Sequence, residues 1–142
     1  MTLRVLDVSP RAVWPPEGGG EMRTYQLMRH LSRTHLVRQF SQTRWQKLRR
    51  PSFPEKVWIT PRYCEYRWKN PLTALASELC QRSWIGTPLL GGAGLELFRP
   101  AQLRAWLQWA DVTLVEFPWQ YAFCRRQRPG GRLILAAHNL ER

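Results

Sequence analysis

Apolar positions repeat along the chain with two different periods, and the pattern predicts strands that alternate with helices. Short apolar runs predict strands at residues 3–8, 36–40, 57–60, 112–115 and 133–137. Apolar residues at helical spacing, several of them next to a proline, predict helices at residues 22–31, 72–84, 100–110 and 118–128. This order predicts an α/β fold with a doubly wound parallel sheet.

Two segments fit the pattern less well. The second predicted strand contains Arg38 and Gln39, which are unfavourable in a sheet that helices cover on both faces. The glycine-rich stretch at residues 86–94 interrupts the helical spacing. We therefore expect a break between helices there.

A glycine triplet separates the first predicted strand from the first helix. Gly18, Gly19 and Gly20 follow a long loop and come directly before the helical pattern. Glycine adopts positive φ angles easily and lets a ligand approach the backbone, while the first turn of a helix presents unpaired N–H groups. The layout predicts an anion-binding loop, with phosphate as the expected anion. A flexible connection without a ligand is the alternative.

Polar candidates follow three of the predicted strands. Ligands of doubly wound sheets bind beyond the carboxyl ends of the strands, where the strand order reverses. The glycine triplet, Glu116 and His138 are all expected at that edge. Each has a simpler interpretation, since Glu116 can pair with one of many arginines and a single histidine is commonly structural. Their convergence favours a ligand site.

The loop does not match the common nucleotide-binding motifs. A dinucleotide site requires G-x-G-x-x-G directly after the first strand and an acidic residue at the end of the second. Here the glycines are adjacent and begin ten residues after Val8, and the second strand runs into Ser41 and Gln42. The sequence also lacks G-x-x-x-x-G-K-[ST], which argues against a P-loop NTPase.

Charge adds a second feature that attracts anions. The chain has 22 Lys and Arg against 10 Asp and Glu, a formal net charge of +12. Residues 44–50, called the basic segment below, contain Arg44, Trp45, Lys47, Arg49 and Arg50. The segment fits an anionic membrane surface, nucleic acid or nucleotide phosphate. A solvated arginine-rich surface is the alternative.

The remaining composition limits the chemistry. A length of 142 residues and a hydrophobic content of 44% suit one globular domain. The three cysteines are far apart, without a C-x-x-C pair or a histidine at ligand spacing, so we expect neither a metal site nor disulfides. No signal peptide or membrane span is predicted. We expect a cytoplasmic location, with peripheral binding to the inner face of the cytoplasmic membrane as an option.

Five short segments carry a family resemblance. They are V-L-D-V-S-P at 5–10, P-P-E-G-G-G-E at 15–21, R-T-Y-Q-L at 23–27, D-V-T-L-V-E at 111–116 and A-A-H-N-L-E at 136–141. Together they resemble the Rossmann-like N-terminal domain of GT-B fold glycosyltransferases, in particular the retaining enzymes of glycosyltransferase family 4 that serve cell-surface polysaccharide and glycolipid synthesis. The resemblance covers roughly residues 1–42 and 108–142 of the chain.

The resemblance implies roles for individual residues. Gly18, Gly19 and Gly20 would lie against the diphosphate of a nucleotide-sugar donor, where their amides stabilise the charge on the leaving group. His138 would border the transferred sugar and is the implied catalytic residue. Further ligand contacts are expected at Arg11, Arg23, Glu116 and Asn139. Either Arg23 or Arg11 would offset the carboxylate of Glu21. The acceptor would be a glycan or a lipid-linked molecule, and no metal or other cofactor is implied.

The chain departs from the family in one respect. GT-B enzymes have a second domain that grips the nucleotide, and retaining members carry a pair of glutamates separated by seven residues, a spacing that is absent here. We therefore expect residues 1–142 to be an acceptor-side half that is inactive alone and needs a donor-binding half, such as a separate chain. The alternative is a noncatalytic basic module that binds membranes. Nucleic acid is a less favoured partner, because the aromatics form no RNP-like or OB-like pattern.

Overall fold

The structure, a computed structural model, describes residues 1–83 and 87–136. Its strands are β1 (Arg4–Ser9), β2 (Leu36–Gln42), β3 (Lys56–Thr60), β4 (Tyr63–Trp68), β5 (Val112–Val115) and β6 (Arg132–Leu135). Its α-helices are α1 (Gly19–Leu31), α2 (Pro71–Ser83), α3 (Thr87–Phe98), α4 (Ala101–Trp109) and α5 (Pro118–Arg126). A short 3-10 helix at Trp45–Lys47 lies in the basic segment.

The strands form one sheet in the order β3-β4-β2-β1-β5-β6. Every pairing is parallel except that of β3 with β4, which is an antiparallel hairpin. The chain builds outward from β1 through β2 to β4, then returns to the other side of β1 with β5 and β6. This confirms the predicted α/β class and the doubly wound sheet. The strand order reverses between β1 and β5, which is where such folds bind ligands.

Alternating residues of the central strands supply two apolar faces, as the period of a strand requires. On one face Leu6, Val8 and Phe40 pack with buried residues of α3, α4 and α5. On the other, Val5 and Val37 pack against Met28 of α1. Helices therefore cover both faces of the sheet.

The sequence pattern did not predict β4. The strand has aromatic and cysteine side chains on the face toward α4, where Cys64, Tyr66 and Trp68 join the larger core. Its other face carries two charged residues, Glu65 and Arg67, which are both buried. A strand with charges at core positions does not match the usual hydrophobic pattern, although the alternation of its aromatic residues was a usable signal.

The predicted break at residues 86–94 is wrong, because α3 runs through most of it. Glycine serves there as a small residue at helix contacts. A Cβ atom added to Gly92 would stand 3.1 Å from the Cβ of Trp119 in α5, and one added to Gly94 would overlap Thr73 in α2. Close packing against two neighbouring helices offsets the low helix propensity of glycine.

Arg38 and Gln39 are accommodated in β2 by specific partners. The guanidinium carbon of Arg38 lies 4.0 Å from the ring centre of Trp109 and 5.2 Å from that of Trp106. Gln39 is fully buried and hydrogen-bonds to both Asp7 and Tyr63. Both residues are therefore compatible with a covered sheet.

Candidate functional site

A cleft of about 460 Å³ opens where the strand order reverses. The end of β1 and the loop after it, the first turn of α1, and the residues that follow β5 form its walls. Ser9, Thr24 and Glu116 are buried side chains on its inner surface. Among the predicted site residues, the glycine triplet, Arg11 and Glu116 are brought together here.

The glycine triplet forms the N-terminus of α1. Gly18 is the N-cap residue and has no side chain with which to cap the helix, and the first backbone hydrogen bond runs from Met22 N–H to the Gly18 carbonyl at 2.9 Å. Among the residues described, the N–H groups of Gly18, Gly19 and Gly20 have no acceptor. The three residues that carry these donors line the cleft at the positive end of the helix dipole, as an anion site requires.

The glycine triplet does not use the positive φ angles that glycine allows. Gly18 is extended, with φ −143° and ψ 169°, and Gly19 and Gly20 are helical. None of the glycines in the described ranges has a positive φ. A Cβ atom on any member of the triplet would meet nothing within 4 Å. The absence of side chains therefore leaves a bare backbone wall, open to a ligand.

The acidic residues of the loop are engaged by the basic segment. Glu21 accepts a hydrogen bond from Glu17 N–H at 2.8 Å and lies 3.7 Å from the guanidinium of Arg44. Lys47 bonds the carboxylate of Glu17 at 2.6 Å. This hydrogen bond is the main cause that lowers the pKa of Glu17. Arg44 and Lys47 thus lie beside the glycine loop and neutralise its carboxylates.

The other members of the basic segment face solvent. Arg49 and Arg50 are exposed, and Trp45 is 38% exposed. The segment is therefore divided. Arg44 and Lys47 pair with carboxylates next to the glycines, whereas Arg49 and Arg50 lie with the indole on the outer surface. Sequence spacing alone does not reveal this division.

The two arginines expected to contact a ligand occupy different places. Arg11 lines the cleft, and its guanidinium has no hydrogen-bond acceptor in the described part of the chain. Partial desolvation, followed by the charge of nearby Arg44, lowers the pKa of Arg11. Arg23 is exposed on α1 and does not line the cleft. Of these two arginines, Arg11 is the one placed to meet an anion at the glycine turn.

Glu116 links three elements at the floor of the cleft. Thr24 of α1 donates to its Oε1 at 2.6 Å, and the hydroxyl of Ser9, at the end of β1, lies 3.2 Å from its Oε2. The side chain is 8% exposed. His138 and Asn139, which the sequence analysis placed at the same edge, lie outside the residues that the structure describes, and their roles stay predictions.

Two residues important for the site were missed by sequence reasoning. Glu65 and Arg67 of β4 form a buried ion pair whose hydrogen bonds reach the backbone of the loop between β1 and the glycines. No motif identifies them, because their partners lie about 50 positions away in the sequence. The signal available was a pair of charges at alternate positions in an aromatic-rich segment.

Two further properties concern only residues 1–83 and 87–136. No group of three or more His, Cys, Asp and Glu side chains in these ranges could hold a metal ion. No helix in them combines the length and apolar character needed to cross a bilayer.

Comparison with known proteins identifies no family for this chain. No protein-family model and no curated protein matches the chain. A solved structure titled sucrose-phosphate synthase, from Thermosynechococcus elongatus, is similar over 97% of this chain and 90% of that chain, with 13% sequence identity and a TM-score of 0.33. Similarity this weak carries no conclusion about function. The strand order and the covering helices show a Rossmann-like α/β fold.

Proposed function

We propose that this chain is the acceptor-side domain of a glycosyltransferase and that the first turn of α1 binds the diphosphate of a nucleotide-sugar donor. The observation that carries the proposal is the bare glycine turn, whose free N–H groups line a cleft at the point of strand-order reversal. The sequence resemblance at residues 1–42 and 108–142 supports the same role.

The proposed chemistry is stabilisation of a leaving group. Cleavage of the bond between sugar and diphosphate leaves negative charge on the diphosphate, and fixed N–H donors lower the energy of that charge. Arg11 adds a cation on the same wall. By resemblance, His138 borders the sugar, and a second domain holds the nucleotide. The acceptor is a glycan or lipid-linked molecule, and the sugar is supplied as a nucleotide sugar with no metal or other cofactor.

The proposal is tested by filling the bare wall. Gly19→Val adds a side chain in open space, so we expect the protein to fold with little change in thermal midpoint. Binding of inorganic pyrophosphate and of nucleoside diphosphate sugars, measured by isothermal titration calorimetry, should fall by about tenfold or more, since about 1.4 kcal/mol corresponds to that factor. Gln26→Val is the matched control, because Gln26 is exposed on the same helix and outside the cleft.

The outcomes separate the alternatives. If Gly19→Val binds as tightly as the unaltered chain, the diphosphate role of the glycine turn is wrong. If pyrophosphate binds but no nucleoside diphosphate sugar competes with it, the turn is a simple phosphate site. Gly19→Val in a complete two-domain enzyme should abolish sugar transfer, whereas Gln26→Val should not.

A second candidate function is peripheral binding to anionic membranes. The exposed indole of Trp45 beside Arg49 and Arg50 favours it, because an aromatic ring and cations can contact headgroups together. This function is compatible with the first, since a lipid-linked acceptor would be presented at a membrane.

A further inference from the structure

Glu65 and Arg67 form an ion pair in the interior of the molecule. They lie on the same face of β4, and Arg67 Nε donates to Glu65 Oε2 at 3.1 Å. Their side chains are 0% and 2% exposed. Such a pair loses the hydration of two charges, and apolar residues of similar volume are often equally stabilising. Stability alone therefore does not account for charges at these positions.

The remaining hydrogen bonds of Glu65 reach the loop that leads to the glycine turn. Val13 N–H donates to Glu65 Oε1 at 2.6 Å, and Trp14 N–H lies 3.3 Å from Oε2. The hydroxyl of Ser41 in β2 adds a bond of 3.0 Å. Burial raises the pKa of Glu65, while the Val13 N–H and the charge of Arg67 oppose that shift. The carboxylate is thus held by groups from the loop and from two strands.

The guanidinium of Arg67 binds the same loop at the carbonyl of Trp14. Its Nη2 donates to the carbonyl oxygen of Trp14, and its Nη1 donates to the carbonyl of Pro54 at 3.3 Å. The guanidinium also lies 3.9 Å from the ring centre of Phe53. Both backbone polar groups of Trp14 are therefore bound by one ion pair on β4.

Trp14 connects this ion pair to the cleft. Its ring packs on Tyr25 of α1, with 5.0 Å between ring centres, and Gly18 follows four residues later in the chain. Trp14 is consequently held to β4 through its backbone and to α1 through its ring. Donors held in place before a ligand arrives bind it at a lower entropic cost.

We propose that Glu65 and Arg67 are positioning residues for the anion site, holding the loop so that the N–H groups of the glycine turn face the cleft. The inference rests on the proposed function of that turn. Neither residue lines the cleft, so Glu65 acts through Val13 and Trp14, and Arg67 acts through Trp14. Loss of the contacts of either residue with the loop should loosen the loop. Anion binding should then weaken, although the N–H groups of the glycine turn remain present.

Two variants test the role by different routes. Glu65→Gln removes the charge and one acceptor oxygen, and Arg67→Lys keeps the charge but loses the forked geometry that serves Trp14 and Pro54 together. We expect pyrophosphate affinity to fall about tenfold in each, as measured by calorimetry at a temperature where the variant is fully folded. Faster amide hydrogen exchange at Val13 and Trp14 should accompany the loss.

A core variant separates positioning from general stability. Leu107→Ala removes buried side-chain volume behind the opposite face of the sheet and should lower the thermal midpoint without changing pyrophosphate affinity. If Glu65→Gln fails to fold, the pyrophosphate affinity of Arg67→Lys tests the inference. Unchanged affinity in a folded Arg67→Lys or Glu65→Gln variant overturns the inference alone. Absence of pyrophosphate binding by the unaltered chain overturns the proposed function and the inference with it.

Discussion

Asp7 lies in the middle of the central strand and is buried, at 2% exposure, although its side chain can carry a charge. Gln39 Nε2 donates to it at 2.9 Å, and Tyr63 donates in turn to the oxygen of the same amide. Burial, followed by the charge of Glu116, raises the pKa of Asp7 well above its usual value. The neutral acid is therefore favoured inside the sheet.

We expect Asp7→Asn to stabilise the chain increasingly as the pH rises. The folded pKa lies above the unfolded value of 3.8, so the contribution of Asp7 is complete below pH 3.8 and is lost as the pH rises through the folded pKa. Asparagine keeps an acceptor for Gln39 and does not ionise. Urea unfolding at several values between pH 4 and pH 8 should show a difference that grows with pH.

Asp111→Asn is the control for this measurement, because its expected sign is opposite. Hydrogen bonds from the side chain and backbone of Arg4 lower the pKa of Asp111 to about 2. Its stabilising effect is present above pH 3.8 and is lost as the pH falls toward 2, so this variant should be the less stable one at neutral pH. A constant difference for Asp7→Asn across the range would contradict ionisation as the cause.

At the scale of elements, the cations of the basic segment lie on two different surfaces. Arg44 and Lys47 pair with Glu21 and Glu17 of the glycine loop, whereas Arg49 and Arg50 face solvent. Ion pairs with carboxylates reduce the attraction of a cation for phosphate, so the two halves of the segment are not equivalent toward an anionic surface. The pairs also place the segment against the first turn of α1.

The division predicts different effects of two double substitutions. Arg49→Gln with Arg50→Gln should weaken binding to anionic liposomes by about 2 kcal/mol, at about 1 kcal/mol per cation near the surface. Arg44→Gln with Lys47→Gln changes the net charge equally and should weaken it less. Vesicle co-sedimentation at two salt concentrations measures both. Equal losses would point to net charge alone, and binding that persists at high salt would exclude the electrostatic mechanism.

For the whole molecule, the sheet is most completely paired and buried at its centre. β1 is paired on both sides, and Val5, Leu6 and Val8 are 0–4% exposed. The edge strand β3 is paired on one side only, and its register with β4 shifts between Trp58 and Thr60. The cleft lies at the end of the most protected strand, which suits a site whose donors must stay in place.

Hydrogen exchange should reflect this arrangement. We expect the amides of β1 to exchange only through global unfolding, and those of β3 to exchange at least about tenfold faster through local opening. Residue-resolved exchange followed by NMR checks the order. Equal protection of β1 and β3 would mean that the sheet opens as a single unit and that its edge is not a weak point.

The sequence by itself determined the α/β class and the approximate positions of β1, β2, β3, β5, β6, α1, α2, α4 and α5. Their apolar periodicity and their flanking prolines are local signals, so no knowledge of distant contacts was needed. The glycine triplet was placed at the start of the first helix, although Gly19 and Gly20 belong to its first turn and do not precede it. The sequence did not determine its backbone conformation, because glycine permits several φ angles and the neighbouring structure selects one.

Only the tertiary structure decided where charged and glycine-rich segments belong. Glu65 and Arg67 are tolerated in a strand because the loop at Val13 and Trp14 supplies their hydrogen bonds, and Gly92 is tolerated in a helix because Trp119 packs against it. These partners lie far apart in the sequence, so their interactions stabilise the strand and the helix only after the chain has folded. Folding also brings the glycine turn next to Glu116, because the strand order makes β1 and β5 neighbours and so places their carboxyl ends together.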